Sequence, residues 1–205
     1  MIKTILWDFD GVILDSMKFR DWGFEEIFKD YDKSLVEKFL NFHRENAGLS
    51  RYVKIRFFFE DLLKESIEEE RVLEYAKKFS VLMKQELTSP KNLILDSLDF
   101  IKKNHQKYNF HIVSGSDHEE LRFLNKELGI GKYFMSIHGS PTPKKQLVSN
   151  LMEEYQYNTD ETCLIGDSIN DYDAAIVNNI KFFNYNNEEI SHLGTHINSF
   201  KKFNI

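Results

Sequence analysis

Ile2-Lys3-Thr4-Ile5-Leu6-Trp7-Asp8-Phe9-Asp10-Gly11 is the stretch on which the reading of this chain turns. A mainly apolar run over 2–7 is halted by Asp8, Asp10 and Gly11, the pattern of a buried strand that ends in a turn. Alternation through the turn places both carboxylates on one side, at the strand's carboxyl end. Carboxylates this close repel unless a cation or a shared proton offsets them. A hard, oxygen-ligated cation such as magnesium would do so, leaving one carboxylate to attack an electrophile and the other to handle a proton. Asp and Gly also build turns unaided, so the motif gains force only if other strands end in matching chemistry.

Similar apolar runs recur at 110–113, 134–137, 162–165 and 180–183, with helical patterns at 119–128, 144–155 and 170–178 between them. Strand alternating with helix over 90–185 predicts an α/β fold, a doubly wound parallel sheet wrapped by helices. Residues 16–88 read differently. They contain no Pro, and apolar side chains recur at helical spacing: Trp22, Ile27 and Phe28; Leu35, Phe39 and Phe42; Val53, Phe57 and Phe58; Val72, Tyr75, Phe79 and Met83. This predicts a four-helix cap of residues 16–88 inserted into a core of residues 1–15 and 89–205. Such an insert sits over the carboxyl end of the first strand, where open α/β sheets bind ligands. The polar tail is expected to close the sheet edge around 195–200. His192 and His196 lack a surrounding helical pattern and read as a solvated tail rather than a metal site.

Composition closes off other classes. At about 150 residues per domain, 205 residues suit one domain carrying a sizeable insertion. With 41% hydrophobic and 29% charged residues, the chain is neither fibrous nor wholly disordered. A net charge of −6 weakens attraction to polyanions, so no nucleic-acid partner is expected. Cys163 is the single cysteine, which excludes a disulfide framework. No apolar run approaches the roughly 18 residues of a membrane span, and the first residues lack a secretory segment. A soluble, cytoplasmic protein with no membrane partner is expected, as a monomer or homodimer.

Three further clusters bear on chemistry. Ser114-Gly115-Ser116 ends the second strand and leads into a helix near Asp117, where a hydroxyl and backbone N–H groups can cradle an anion. Helix capping also explains Ser and Asp there. Ile112 stands two residues before Ser114, so this is not the Gly-x-Ser-x-Gly elbow of a serine hydrolase. Lys144 and Lys145 open the helix after Pro141-Thr142-Pro143. A cation there opposes the helix dipole by roughly a few tenths of a kcal/mol, which a bound anion would offset. A solvated surface pair is the plain alternative. Gly166-Asp167-Ser168-Ile169-Asn170-Asp171 ends the fourth strand, with Asp171 one helical turn beyond Asp167. Four carboxylates then crowd one sheet edge, which demands a cation.

In this combination and order the residues resemble the haloacid dehalogenase superfamily of phosphatases and phosphotransferases, over essentially the whole chain. Asp8-Phe9-Asp10-Gly11-Val12 is similar to the first motif, Ile112-Val113-Ser114-Gly115 to the second, Lys144 to the third, and Gly166-Asp167 through Asp171 to the fourth. The resemblance implies a sheet of central order 5-4-1-2-3, a helical cap after the first strand and Mg2+ as cofactor. It implies that Asp8 attacks phosphorus to form an aspartyl-phosphate, while Asp10 protonates the departing alkoxide and then activates water. The implied metal ligands are the Asp8 carboxylate, the Asp10 backbone carbonyl and Asp167, with Asp171 ligating directly or from behind these. Ser114, Gly115 and Lys144 would bind the phosphoryl group. Lys145 stays open as the alternative, because this motif reads Ser-Pro-Thr-Pro-Lys-Lys here.

Within the family, Asp10 argues against a dehalogenase. The start Asp-Gly-Val-Ile-x-Asp-Ser is similar to that of β-phosphoglucomutases, but their cap histidine is missing from Met17-Lys18-Phe19-Arg20, which disfavours a mutase. Lys54 is conceivable as the Schiff-base lysine of phosphonatases, though its surroundings offer no match. Gly48-Leu49-Ser50-Arg51 resembles the specificity loop of capped relatives such as phosphoglycolate phosphatases, with Ser50 capping the next helix and Arg51 reaching a substrate phosphate or carboxylate. His43, Arg44, Lys54 and Arg56 are further candidates, each equally well read as part of a solvated basic face. The expectation is a magnesium-dependent phosphatase of a small phosphomonoester, a sugar phosphate or a phosphorylated acid. An intramolecular phosphotransferase and a non-catalytic phosphoacceptor or metabolite-binding module are its rivals.

Overall fold

A computed structural model describes residues 1–203 of the chain. Six strands, β1 (Thr4–Trp7), β2 (Asn109–Asp117), β3 (Ser136–Ser140), β4 (Thr162–Gly166), β5 (Lys181–Tyr185) and β6 (Thr195–Ile197), form one sheet in the order β3-β2-β1-β4-β5-β6. All neighbours run parallel. Central β1 pairs Trp7 with Ile112 on one side and Ile165 on the other. Its side chains divide between two apolar layers. Ile5 and Trp7 join the cluster that holds Leu98, Ile101 and Leu121, and Leu6 joins Leu147, Leu151 and Ala174. Burial on both faces is why Ile5, Leu6 and Trp7 of β1 are apolar in succession rather than alternating with polar residues.

Among the described residues eight α-helices accompany the sheet: α1 (Met17–Ile27), α2 (Lys33–Glu45), α3 (Arg51–Arg56), α4 (Glu69–Glu86), α5 (Leu95–Asn104), α6 (His118–Glu127), α7 (Lys144–Glu154) and α8 (Ile169–Val177). Helix α3 runs on as a wide π-helical segment, Phe57–Leu63. Helices α1 to α4 lie in sequence between β1 and α5, and rings hold them together. Phe28 stacks on Phe58 at 3.9 Å between centroids, meets Phe39 edge-on at 5.0 Å, and Phe24 lies 4.3 Å from Phe79. Asp32 and Ser50 cap α2 and α3, accepting from the N–H groups of Ser34 and Val53.

The central strand order and the closing of the sheet edge by the tail agree with expectation, and β6 adds a sixth strand beyond the five. Four details differ. Strand β2 continues past Val113 to Asp117 through a register irregularity that lets Asp117 pair with Ser140. Strand β3 lies at 136–140, not 134–137, because Phe134 turns into the core before the strand begins. Helix α5 lies outside the helical patterns read from the sequence. Trp22 and Val53, assigned to the inner stripes, are 36% and 48% exposed, since Gly23 and Phe24 take the inner face of α1 and Arg51, Lys54 and Ile55 that of α3.

Candidate active site

Adjacent β1 and β4 deliver Asp8 and Asp167 to the same edge of the sheet, and the Asp8 N–H donates to the Ile165 carbonyl at 2.9 Å. Lys144 opens α7 and Asp171 lies in the first turn of α8. The Lys144 ammonium donates to Asp8 Oδ1 at 2.7 Å and to Asp171. Oxygens of Asp8, Asp167 and Asp171 lie within 4.8 Å of one another. Gly11 makes this possible. Its φ is +75°, and a Cβ there would stand 1.9 Å from Asp167 Oδ2. Behind the edge, Asn186 donates to the Gly11 carbonyl at 3.0 Å and Asn187 to the Asp167 carbonyl at 2.7 Å. Lys145 is exposed, so the structure selects Lys144 from the pair.

The electrostatics are those of an acid cluster short of positive charge. Burial and then Asp171 push Asp8 up to about 7, against the pull of Lys144. Burial, Asp8 and Asp171 hold Asp167 well above the carboxylate range. Burial disfavours the charge on Lys144, but Asp171 and Asp8 outweigh it and keep the ammonium firmly protonated. Among the described residues no side chain donates a hydrogen bond to the Asp167 carboxylate. Three converging carboxylates with one ammonium among them suit a small, hard, oxygen-seeking cation such as magnesium.

Asp10 stands apart from that cluster. Its carboxylate takes hydrogen bonds from Ser16, Ser116 and Arg20, whose Nη2 lies 2.9 Å from Oδ1. Burial disfavours its charge, yet Arg20 and the two serines outweigh this and hold its pKa below the ordinary carboxylate value. Its side chain is therefore not in the group able to ligate a cation, and any ligation would fall to its carbonyl, as the resemblance implies. Arg20 also donates to Glu120 at 2.7 Å, and Arg51 donates to the other Glu120 oxygen at 2.6 Å. Glu120 is wholly buried. This Asp10–Arg20–Glu120–Arg51 chain was not read from the sequence. An acidic residue in the first turn of a helix is ordinary there, and nothing nearby marks Glu120 as the partner of two arginines.

A cleft opens between these residues and the 46–50 loop. Asp8, Asp10 and Asp167 line one wall with Ser114 and Gly115, while Arg20, His43, Arg51 and Lys54 line the other. Ser114 Oγ accepts the Ser116 N–H at 3.1 Å. At Gly115 a Cβ would stand 2.2 Å from the Gly48 carbonyl, so the loop lies directly on the end of β2. Arg51 reaches the cleft as expected, but its Nη1 is held by Glu120 and by Ser80 at 2.7 Å. Of the other basic candidates only His43 and Lys54 face the cleft. Arg44 pairs with Asp21 at 2.8 Å, and Arg56 pairs with Glu60 and Glu69.

Parallel strands of an α/β sheet here bring acidic residues and a lysine together at the edge where such sheets bind ligands. The family model for haloacid dehalogenase-like hydrolases matches residues 5–185, and the chain belongs to that family. A comparison with curated proteins finds no match. Among solved structures, β-phosphoglucomutase from Clostridium difficile aligns over 100% of this chain and 94% of its own, with a TM-score of 0.77 and 16% identity. CbbY from Rhodobacter sphaeroides, in complex with phosphate, covers 98% and 96% at a TM-score of 0.76 and 14% identity. The HAD-hydrolase YfnB from Bacillus subtilis, bound to magnesium, covers 98% and 96% at a TM-score of 0.72 and 18% identity. At such identities the likeness establishes the fold.

Proposed function

We propose that this chain is a magnesium-dependent phosphatase that hydrolyses a small phosphomonoester, a sugar phosphate or a phosphorylated acid, through an aspartyl-phosphate on Asp8. One observation carries the reading: Asp8, Asp167, Asp171 and Lys144 meet where β1 and β4 end, with Asp10 two residues further on. Asp8, Asp167, Asp171 and the Asp10 carbonyl would hold magnesium, which when bound supplies positive charge to an incoming phosphoryl group. The phosphate-bound and magnesium-bound relatives support this assignment.

In the first half-reaction the Asp8 carboxylate attacks phosphorus, the bond from phosphorus to the ester oxygen breaks, and that oxygen takes a proton which the monoanionic substrate brings in and Asp10 relays. Water then attacks phosphorus, Asp10 takes its proton, and the acyl-phosphate bond breaks to release phosphate. The Arg20 and serine contacts prepare Asp10 for the second role by holding it as a carboxylate. Ser114 and Gly115 are assigned to the phosphoryl oxygens, Lys144 to their charge, and Arg51 to the substrate's other end. Residues 1–15 and 89–205 are assigned as the catalytic core, and residues 16–88 as a cap that keeps the site small and excludes bulk water. The site of action is placed in the cytoplasm, with the protein a monomer or homodimer.

Phosphate release with Mg2+ over a panel of phosphorylated metabolites tests the reading. It also separates hydrolysis from intramolecular transfer, which conserves phosphate in the product. Asp8→Asn should abolish release while far-UV circular dichroism stays native. Turnover near that of the wild type in a folded Asp8→Asn protein would remove the nucleophile assignment.

A further inference from the structure

The cleft wall formed by Arg20, His43, Arg51 and Lys54 carries its own counter-ions. Glu120, in the first turn of α6, is wholly buried between two arginines of that wall. Its Oε1 accepts from Arg20 Nη1 at 2.7 Å and its Oε2 from Arg51 Nη1 at 2.6 Å. The rest of the Arg20 fork is engaged too, since Nε and Nη2 both donate to Asp10. Arg51 Nη1 also donates to Ser80 at 2.7 Å. Asp117, next to the cleft residue Ser116, accepts from the Tyr52 hydroxyl of α3 at 2.7 Å and from the Glu120 N–H at 2.9 Å. The end of β2 and the start of α6 thus turn two carboxylates, Asp117 and Glu120, toward α3. Burial disfavours the charge on Glu120, but Arg51 and then Arg20 outweigh it and keep it ionised. At Lys54 burial and Arg20 oppose the charge, whereas Asp10 and Asp21 support it. His43 adds none, because burial and Lys54 push its pKa down to about 2. Each cation of the wall therefore has a carboxylate of the protein acting on it.

We propose that Glu120 is a specificity-determining residue of the phosphatase site: it takes up the arginine charge that a second substrate anion would need, so the site favours phosphomonoesters whose departing portion is uncharged. The inference rests on the phosphatase reading and selects a sugar or polyol phosphate over a phosphorylated acid. An anion entering beside Arg51 meets a guanidinium that is already paired and the carboxylate buried with it. Displacing Glu120 would leave that carboxylate unpaired in a dry interior, which is strongly unfavourable. Discrimination arises as readily from a charge that repels the wrong ligand as from one that attracts the right one. Hydroxyl groups leave the pairing intact. Arg51 Nε, buried with no hydrogen-bond partner among the described residues, has a donor for such a neutral oxygen.

The test measures binding, so it does not depend on turnover. Two carboxylate-tailed ligands, 3-phosphonopropionate and 4-phosphonobutyrate, are titrated calorimetrically into the wild-type protein with Mg2+. Each is compared with the hydroxyl-tailed phosphonate of equal length, 3-hydroxypropylphosphonate or 4-hydroxybutylphosphonate. The wild type should bind the hydroxyl-tailed member of each pair at least as tightly as its carboxylate-tailed counterpart. Glu120→Gln keeps the shape of the side chain and removes its charge, which frees Arg51 for an anion. The affinity ratio should then swing about 10-fold or more toward the carboxylate tail, the scale of a hydrogen bond to a charged group. Adding Arg51→Met to Glu120→Gln should cancel the swing, which a general loosening of the fold would not do. A wild type that prefers the carboxylate tail at either length overturns the proposal. So do unchanged ratios in folded Glu120→Gln, or a swing that survives in the folded double variant. Should the variants fail to fold, the wild-type ratios decide alone. Hydrolysis of p-nitrophenyl phosphate, run in parallel, reports separately on the phosphatase reading: its absence counts against that reading, whereas hydrolysis with the wrong ratios counts against Glu120 alone.

Discussion

At the scale of single residues, the site depends on atoms that are missing as much as on those present. Gly11 lacks the Cβ that would overlap Asp167, and it holds a backbone angle that other residues adopt only under strain. Gly11→Ala should cost about 1–3 kcal/mol in stability and lower turnover at least tenfold, because Asp167 must move to admit the methyl. Urea denaturation and phosphate-release assays would read the two effects, and an unchanged rate would mean that Asp167 can shift harmlessly. The sequence offered the acids at 8, 10, 167 and 171 and the lysine pair as candidates, because punctuation residues mark the strand and helix ends where they stand, and the fold brings Asp8, Asp167, Asp171 and Lys144 together. It did not divide their labour. Whether Lys144 or Lys145 turns inward, and whether the Asp10 side chain joins the acid cluster or pairs with Arg20, depends on which neighbours the fold supplies.

At the scale of elements, helices α1 to α4 show how far periodicity reaches. Their existence was legible from the recurrence of Phe28, Phe39, Phe58 and Phe79, all of which are buried. The assignment of Trp22 and Val53 to the interior failed because hydropathy cannot know that an inner face is polar. Helix α3 spends its inward positions on Arg51 and Lys54, which face the cleft, and Val53 is left in solvent. Two predictions belong here. Phe28→Ala removes a fully buried ring that contacts Phe58, Phe39 and Tyr31, and should cost about 3–5 kcal/mol, measured by denaturant midpoint. Glu120→Ala strips two buried guanidinium groups of their shared partner and should cost about 3–5 kcal/mol, with a loss much below 1 kcal/mol showing that water or Asp10 compensates.

For the whole molecule, the sheet brings the carboxylates of Asp8 and Asp167 together with that of Asp171 at one edge, and a cation bound there should also support the fold. EDTA is expected to abolish phosphate release and Mg2+ to restore it. Mg2+ at about 100 times its dissociation constant should add about 2.7 kcal/mol of stability, since it binds the folded chain alone. In a protein of this size that raises the thermal midpoint by on the order of 5–10 °C. A midpoint indifferent to Mg2+ would speak against the carboxylate cluster as its seat. By itself the sequence determined the alternation of strand and helix and the run of helices after β1, because hydrophobic period and turn residues are local and survive in one dimension. Only the tertiary structure decided which charges meet. The Asp10–Arg20–Glu120–Arg51 chain joins hydrogen-bonded partners up to a hundred positions apart. Ion pairing in a dry interior is set by distance and burial, and neither is written along the chain.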